Sequence, residues 1–343
     1  MLITDFDFHL PDELIAQTPL EKRENSRMLA VNLSAKSFDD KHFYNFPNFL
    51  RAGDVLVLNN TKVFPARLFG ETETGAKIEV FLVREIEKDV WETLARPAKR
   101  LKIGKKIIFS TDLTADVLEK SEEGRVFVQF TSNGDFDEIL DRIGKTPLPP
   151  YIKRENEDFN ADRDRYQTVF ARERGAIAAP TAGLHFTPQV IEKIKNNGVN
   201  VAEITLHVGY GTFEPVRVTN LSEHTVLPEH YEISETAAEI LNRAKAENRR
   251  IIAVGTTTTR ALESAFGETG KFAAGKSLAE LTITPEYQFR AISGILTNFH
   301  LPQSSLLVLV STFGGAELIM KAYEHAVRSG YRFYSYGDCM FIF

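Results

Sequence analysis

The residues best suited to chemistry fall in a few short stretches where imidazoles, hydroxyls and glycines occur together. The run Ala178-Ala179-Pro180-Thr181-Ala182-Gly183-Leu184-His185-Phe186-Thr187-Pro188 leads into a helix. Thr187 suits its N-cap and Pro188 its first turn, Val190, Ile191 and Ile194 follow at helical spacing, and Gly198 closes it. His185 therefore precedes a helix N-terminus, where free N–H groups and the positive dipole end favour a carboxylate or phosphate. The alternative is a satisfied histidine on a packing turn. Thr205-Leu206-His207-Val208-Gly209-Tyr210-Gly211-Thr212-Phe213 follows an expected strand, and ligands collect at strand carboxyl ends in open α/β sheets. Gly209 and Gly211 allow a ligand close to the backbone, although a tight turn with a buried His207 reads equally well. Gly255-Thr256-Thr257-Thr258-Thr259-Arg260 lies between a buried strand at 251–254 and a helix. Its hydroxyls, N–H groups and guanidinium would together hold an anion, or the threonines would merely cap the helix. Thr297-Asn298-Phe299-His300-Leu301-Pro302 places an amide and an imidazole in apolar surroundings, and Tyr334-Ser335-Tyr336-Gly337-Asp338 leaves a carboxylate at an expected strand end.

The spacing excludes some chemistry. His185, His207 and His300 have no local His-x-x-x-His pattern, so no metal is expected. Gly209-x-Gly211 lacks the third glycine of a dinucleotide loop, and no lysine follows Gly255 as a phosphate loop requires. The single Cys339 excludes an internal disulfide and fits a reducing cytosol. The N-terminal Met1-Leu2-Ile3-Thr4-Asp5-Phe6-Asp7-Phe8 is not a signal peptide, and no apolar run reaches the ~18 residues that span a bilayer, so a cytoplasmic protein without membrane contact is expected. A net charge of -6 does not mark a nucleic-acid binder as such, but a mildly acidic chain can carry a basic face. Arg96, Lys99, Arg100, Lys102, Lys105 and Lys106 form one acid-free basic stretch, while Lys153, Arg154, Arg163, Arg165, Arg172 and Arg174 flank a central loop with acids mixed in. Phosphate contacts from such groups would give salt-dependent RNA affinity.

The elements that position these stretches divide in two. At 343 residues roughly two domains are expected. A short helix is expected over 11–17, and strands over 28–33 and 54–58. From 66 to 131 short strands succeed one another at 66–70, 77–84, 90–95, 105–109, 114–119 and 125–130, which suggests a small antiparallel barrel. A helix over 136–143 follows, then the stiff extended linker Pro147-Leu148-Pro149-Pro150-Tyr151-Ile152. Beyond 187 helices and strands alternate: a strand at 199–206, a helix around 235–246, strands at 251–254 and 306–310, a helix over 316–328 and a strand at 331–336. The expected fold is therefore mixed α/β (α+β). An α/β domain of residues 1–65 plus 151–343 carries an inserted β-barrel domain of residues 66–150.

Taken together, several stretches resemble the S-adenosylmethionine:tRNA ribosyltransferase-isomerase family of queuosine biosynthesis. They include Asp7-Phe8-His9-Leu10-Pro11, Leu14-Ile15-Ala16-Gln17, Val57-Leu58-Asn59-Asn60-Thr61-Lys62-Val63, Pro65-Ala66-Arg67-Leu68 and Arg165-Tyr166-Gln167-Thr168. The stretches at 147–153, 178–186, 205–213, 255–258, 297–302 and 335–338 extend the match over nearly the whole chain, in order. The resemblance implies transfer of the ribosyl part of S-adenosylmethionine to the aminomethyl group of a 7-deazaguanine in the tRNA wobble position. Rearrangement gives epoxyqueuosine, with release of adenine and methionine. S-adenosylmethionine is then a consumed co-substrate, with no bound cofactor; the partners are that tRNA and S-adenosylmethionine, and the chain is expected to act as a monomer.

The sulfonium acidifies the ribose C5′ hydrogens, so a general base is needed, and the methionine carboxylate needs an anion site. On that footing His185 or His207 is expected to transfer protons and Asp338 to orient an imidazole or a ribose hydroxyl. Thr256, Thr257, Thr258 and Arg260 are expected to bind an anion, while Thr181, Gly183, Thr205, Gly209, Gly211, Thr212, Asn298 and His300 line the substrate site. Arg67, Arg96, Lys99, Arg100, Lys102 and Lys153 are the expected tRNA contacts. Two places depart from the family pattern. Leu227 stands where a histidine is expected in His224-Thr225-Val226-Leu227-Pro228-Glu229-His230-Tyr231, and residues 276–285 lack the aromatic pattern. The competing reading is an S-adenosylmethionine-dependent RNA methyltransferase, against which the lack of a full glycine-rich loop counts.

Overall fold

The structure, a computed structural model, describes residues 1–122, 124–154, 160–209, 211, 216–267 and 269–343. Its main layer is a mixed nine-stranded sheet in the order Gly275–Ala279, Glu229–Ile233, Asn200–Leu206, Val55–Asn59, Ile251–Val254, Gly294–Asn298, Cys339–Ile342, Arg27–Asn32, Ser37–His42. Val55–Asn59 runs parallel to both neighbours, as do Ile251–Val254 with Gly294–Asn298 and Cys339–Ile342 with Arg27–Asn32. The outer pairs are antiparallel. The central strands are buried at every residue, as a sheet covered on both faces requires. Their side chains alternate between two cores. Val55, Val57, Ile251 and Ala253 join one with Phe299, Tyr323 and Phe333, and Leu56, Leu58, Ile252 and Val254 join the other with Phe43, Phe46, Phe186 and Phe341.

The strands Arg67–Thr72, Lys77–Glu87, Val90–Arg96, Lys106–Ser110, Leu113–Lys120 and Arg125–Ser132 close into an antiparallel barrel. Period-two alternation fills it: Ile78, Val80 and Leu82, then Leu113, Ala115 and Val117, then Val126, Val128 and Phe130 all point inward. The helix Phe136–Ile143, capped by Asp135 accepting from the Glu138 amide, adds Ile139 and Leu140 to the same core. The α/β layer and the barrel are those that the sequence pattern leads one to expect.

Three elements differ from expectation. The apolar run at 306–310 is not a strand but part of the helix Ser305–Gly314, capped by Ser304 accepting from the Leu307 amide. A short run apolar on every side fits a buried helix as well as a buried strand. No strand forms over 331–336: Phe333 makes only an isolated bridge to Ile15, Tyr334 has φ 73°, and the last strand is Cys339–Ile342. Residues 11–17 hold only the 3-10 turn Asp12–Leu14, because the backbones of Leu14 and Ala16 bond across to Phe333. Among the described residues no single helix is long and apolar enough to cross a membrane.

Leu82 is fully buried in the barrel. Leu82→Ala is expected to destabilise the protein by about 2–5 kcal/mol, read as a lower denaturant midpoint.

Candidate functional site

Two adjoining cavities open at the carboxyl ends of Ile251–Val254 and Gly294–Asn298, where an α/β sheet places its ligands. The larger has a volume of about 420 Å³ and the inner one about 80 Å³. Tyr151, Thr256, Thr257, His300, Leu306 and Tyr334 line both.

Local sequence builds the walls. The strand Ile251–Val254 runs into Gly255, whose φ of 94° suits glycine, and the helix Thr256–Phe266 starts at once. Its first N–H groups have no partner within the helix and meet the cavities where Thr256 and Thr257 stand. Thr258 and Thr259 turn away, donating to Val254 O at 2.6 Å and Gly255 O at 3.1 Å. Opposite, Tyr334 holds a positive φ that costs a bulky residue strain. Asn298 fixes that loop by donating to Tyr334 O at 2.8 Å and Ser335 O at 3.2 Å. The rings of Tyr151 and Tyr334 lie 3.9 Å apart between centroids, and the Tyr151 hydroxyl meets Ser335 Oγ at 2.5 Å.

The imidazoles separate into distinct settings. His185 is buried behind the inner cavity, in a recess lined by Arg23, Ser26, Arg165, Ser335 and Tyr336. Its Nε2 is 3.1 Å from Asn298 Oδ1 and its Nδ1 is 2.7 Å from Ser26 Oγ. Asn298 spends its amide protons on two carbonyls, so its Oδ1 accepts from His185 Nε2–H, and Ser26 donates to Nδ1. Burial pushes the His185 pKa down to about 4, which keeps the ring neutral. His300, also buried, pairs through Nε2 with Thr297 Oγ1 at 2.9 Å, and burial pushes it down to about 3. It lines both cavities.

Other expectations are corrected. His207 lines neither cavity: it pairs with Thr61 Oγ1 at 2.8 Å and packs on Gly175. Among the described residues Asp338 pairs with no imidazole; its oxygens accept the Arg27 and Arg332 amides, each at 2.8 Å. Arg260 reaches the larger cavity but is engaged, with Glu229 at 2.6 Å and with the carbonyls of Leu281, Leu227 and Ala279. Glu229 also accepts the Gly209 amide at 3.0 Å, so this buried pair braces the fold. Thr258 is committed to the backbone, Thr205 to Asn60 Oδ1, and Gly183 makes room for Phe170 and Thr168. None of these three lines the cavities, whereas Thr181, Asn298 and His300 line the inner one and Gly211 the larger. Thr212 lies outside the described residues. Leu227 packs on Gly211 and is half exposed.

On the barrel Arg96, Lys99, Arg100 and Lys102 are exposed together, and Lys153 is exposed near the linker. Arg67 is tied to Glu79 at 2.5 Å. Sequence reasoning overlooked Tyr151, Tyr166 and Tyr334 as cavity residues, because single tyrosines carry no spacing signal; the density of tyrosines over 331–336 was the available hint.

Residues 3–342 match the family described as "Queuosine biosynthesis protein". Two relatives, from Desulfitobacterium hafniense and Carboxydothermus hydrogenoformans, are each 48% identical over the full length of both chains, and each is named S-adenosylmethionine:tRNA ribosyltransferase-isomerase. A crystal structure of S-adenosylmethionine tRNA ribosyltransferase from Thermotoga maritima is 33% identical, covers 99% of this chain and 100% of its own, and superposes with a TM-score of 0.56. The chain belongs to the queuosine biosynthesis family. Within that family it is an enzyme of the transferase and isomerase type.

Arg260→Leu would leave Glu229 buried without its cation, and is expected to cost about 3–5 kcal/mol in denaturant titration. An unchanged stability would return Arg260 to the role of a free anion ligand. His185 adds a pH dependence. Its native pKa lies below its unfolded value of about 6.5, so unfolding takes up a proton and acid favours the unfolded chain. Stability is expected to be intact above pH ~6.5 and to fall between there and pH ~4, by on the order of 3 kcal/mol for this residue. Denaturation midpoints across that range, compared with His185→Gln, read the effect.

Proposed function

We propose that this chain transfers and isomerises the ribosyl moiety of S-adenosylmethionine onto the 7-aminomethyl-7-deazaguanine wobble base of tRNA, releasing adenine and methionine and leaving epoxyqueuosine. The observation that carries this reading is the pair of joined cavities at the end of the sheet, one large enough for a nucleoside and the other opening on a helix N-terminus. Their aromatic walls, Tyr151 and Tyr334, suit a purine face. The full-length likeness to relatives named for this reaction supports it.

In this reading S-adenosylmethionine is consumed, and no resident cofactor or metal takes part. The N-terminal turn at Thr256 and Thr257 meets the negative end of the donor. His300, which lines both cavities, is the proton acceptor for the acidified C5′ hydrogen. Burial weakens it as a base, and a bound carboxylate nearby would raise its basicity. His185, through Asn298, holds the loop of Tyr334 in place. The barrel, residues 66–150, is an inserted unit whose exposed Arg96, Lys99, Arg100 and Lys102 approach tRNA phosphates, and the monomer works in the cytoplasm.

Incubation with S-adenosylmethionine and tRNA bearing the precursor base tests this by mass spectrometry of nucleosides and small products. Epoxyqueuosine with free adenine and methionine is expected; S-adenosylhomocysteine and a methylated base would instead make the chain a methyltransferase. His300→Ala is expected to lower adenine release by about a hundredfold or more, while His207→Ala is expected to stay close to the parent rate.

A further inference from the structure

The inner cavity contains a polar group that the fold leaves without a partner. Tyr166 is fully buried, lines the cavity, and its hydroxyl makes no well-formed hydrogen bond. The Ser335 side chain and the Ala179 amide, both on the cavity wall, are close enough to hold its pKa down against burial, yet neither completes a well-formed hydrogen bond with it. Ser335 Oγ is already paired with the Tyr151 hydroxyl. Buried hydroxyls are ordinarily satisfied, so an orphan facing a cavity marks a place where a ligand supplies the partner. The ring is held in direction: it packs edge-on against Tyr336, and the Tyr166 amide donates to Asp162 O at 2.8 Å.

The charge of the cavity narrows the ligand. No Asp, Glu, Lys or Arg is among the residues that line it. What faces it is a set of neutral donors: the unbonded N–H groups that open the helix Thr256–Phe266, the Thr257 hydroxyl and the Tyr166 phenol. The free N–H groups and the positive end of the helix dipole favour an anion there. A volume of about 80 Å³ admits a carboxylate, and leaves a nucleoside to the larger cavity of about 420 Å³. Arg260, the cation that sequence alone offers for this task, is spent on Glu229.

We propose that the Tyr166 phenol and the N-terminus of the helix Thr256–Phe266 bind the carboxylate of the donor's amino-acid tail in the inner cavity. This assignment rests on the reading of S-adenosylmethionine as the donor. Tyr166 thereby determines specificity: it selects a donor that keeps its carboxylate. Burial raises the phenol pKa, so the group is a protonated donor at neutral pH.

Equilibrium binding of the full chain to S-adenosylmethionine and to decarboxylated S-adenosylmethionine tests the assignment, with Tyr166→Phe and Thr257→Ala as variants. The parent protein is expected to favour the carboxylated ligand by about tenfold or more. Tyr166→Phe is expected to weaken S-adenosylmethionine about tenfold while leaving the decarboxylated ligand unchanged. Thr257→Ala should show the same selective loss, and serves as well should Tyr166→Phe fail to fold. An equal loss for both ligands, or no loss for either, would overturn the carboxylate site while leaving the donor reading intact. A parent protein that binds neither ligand, with or without tRNA, would remove the donor reading itself and the carboxylate site with it.

Discussion

The side chain of Asn298 is the junction on which the site depends. It lies at the end of a central strand, almost fully buried, and both ends of its amide are used. The amide protons hold the carbonyls of Tyr334 and Ser335, and the oxygen accepts from His185. One planar group thus ties the sheet to the turn Thr181–His185 and to the tyrosine loop. Because an amide has fixed donor and acceptor ends, it also fixes the tautomer of His185, and through that the direction of the Ser26 hydroxyl. A carboxylate there would lack the protons that restrain the loop, and a leucine would lack all three bonds. The unfavourable φ of Tyr334 persists because this junction over-determines it.

Other buried polar groups serve the frame rather than the cavities. Glu263 accepts the amides of Arg290, Ala291 and Ile292 and the Tyr287 hydroxyl, which secures a segment with no regular structure of its own. Glu229 and Arg260 do the same for the backbone at Gly209, Leu227, Ala279 and Leu281. Both carboxylates are buried at little net cost because every oxygen has donors. The two kinds of buried polarity differ in one respect. The braces are saturated, whereas Tyr166 at the inner cavity is not.

Much of this architecture is legible in the sequence, and the physics explains which parts. The barrel strands alternate apolar and polar residues and are separated by turn formers, so their bounds fall within a few residues of expectation. Gly255 followed by threonines announces a strand-to-helix turn because propensity and capping agree there. Edge strands such as Ser37–His42 and Gly275–Ala279 bury almost nothing and so carry no pattern in the sequence. The helix Ser305–Gly314 is apolar on every side and loses the periodicity that would name it. At the site the misreadings have a different source. Arg260 looks free until Glu229 arrives from 31 residues away, and His207, half-buried, turns out to pair with Thr61 and pack on Gly175. Spacing along a chain reports which groups exist. Which of them are already satisfied is decided by partners that only the fold supplies.

The place of Cys339–Ile342 within the sheet has a consequence for how the chain reaches this form. The N-terminal hairpin of Arg27–Asn32 and Ser37–His42 joins the rest of the layer only through that strand, and the bond from the Arg27 amide to Asp338 links residues 311 apart in sequence. Contacts of such long range gain nothing until most of the polypeptide has been gathered in. The barrel, by contrast, is built from neighbouring strands and can assemble early. Folding should therefore be hierarchical, with the barrel formed first and the sheet completed last by insertion of Cys339–Ile342. The unfinished intermediate would expose the flanks of Arg27–Asn32 and Gly294–Asn298, and it is there that chaperones or self-association would find their opening.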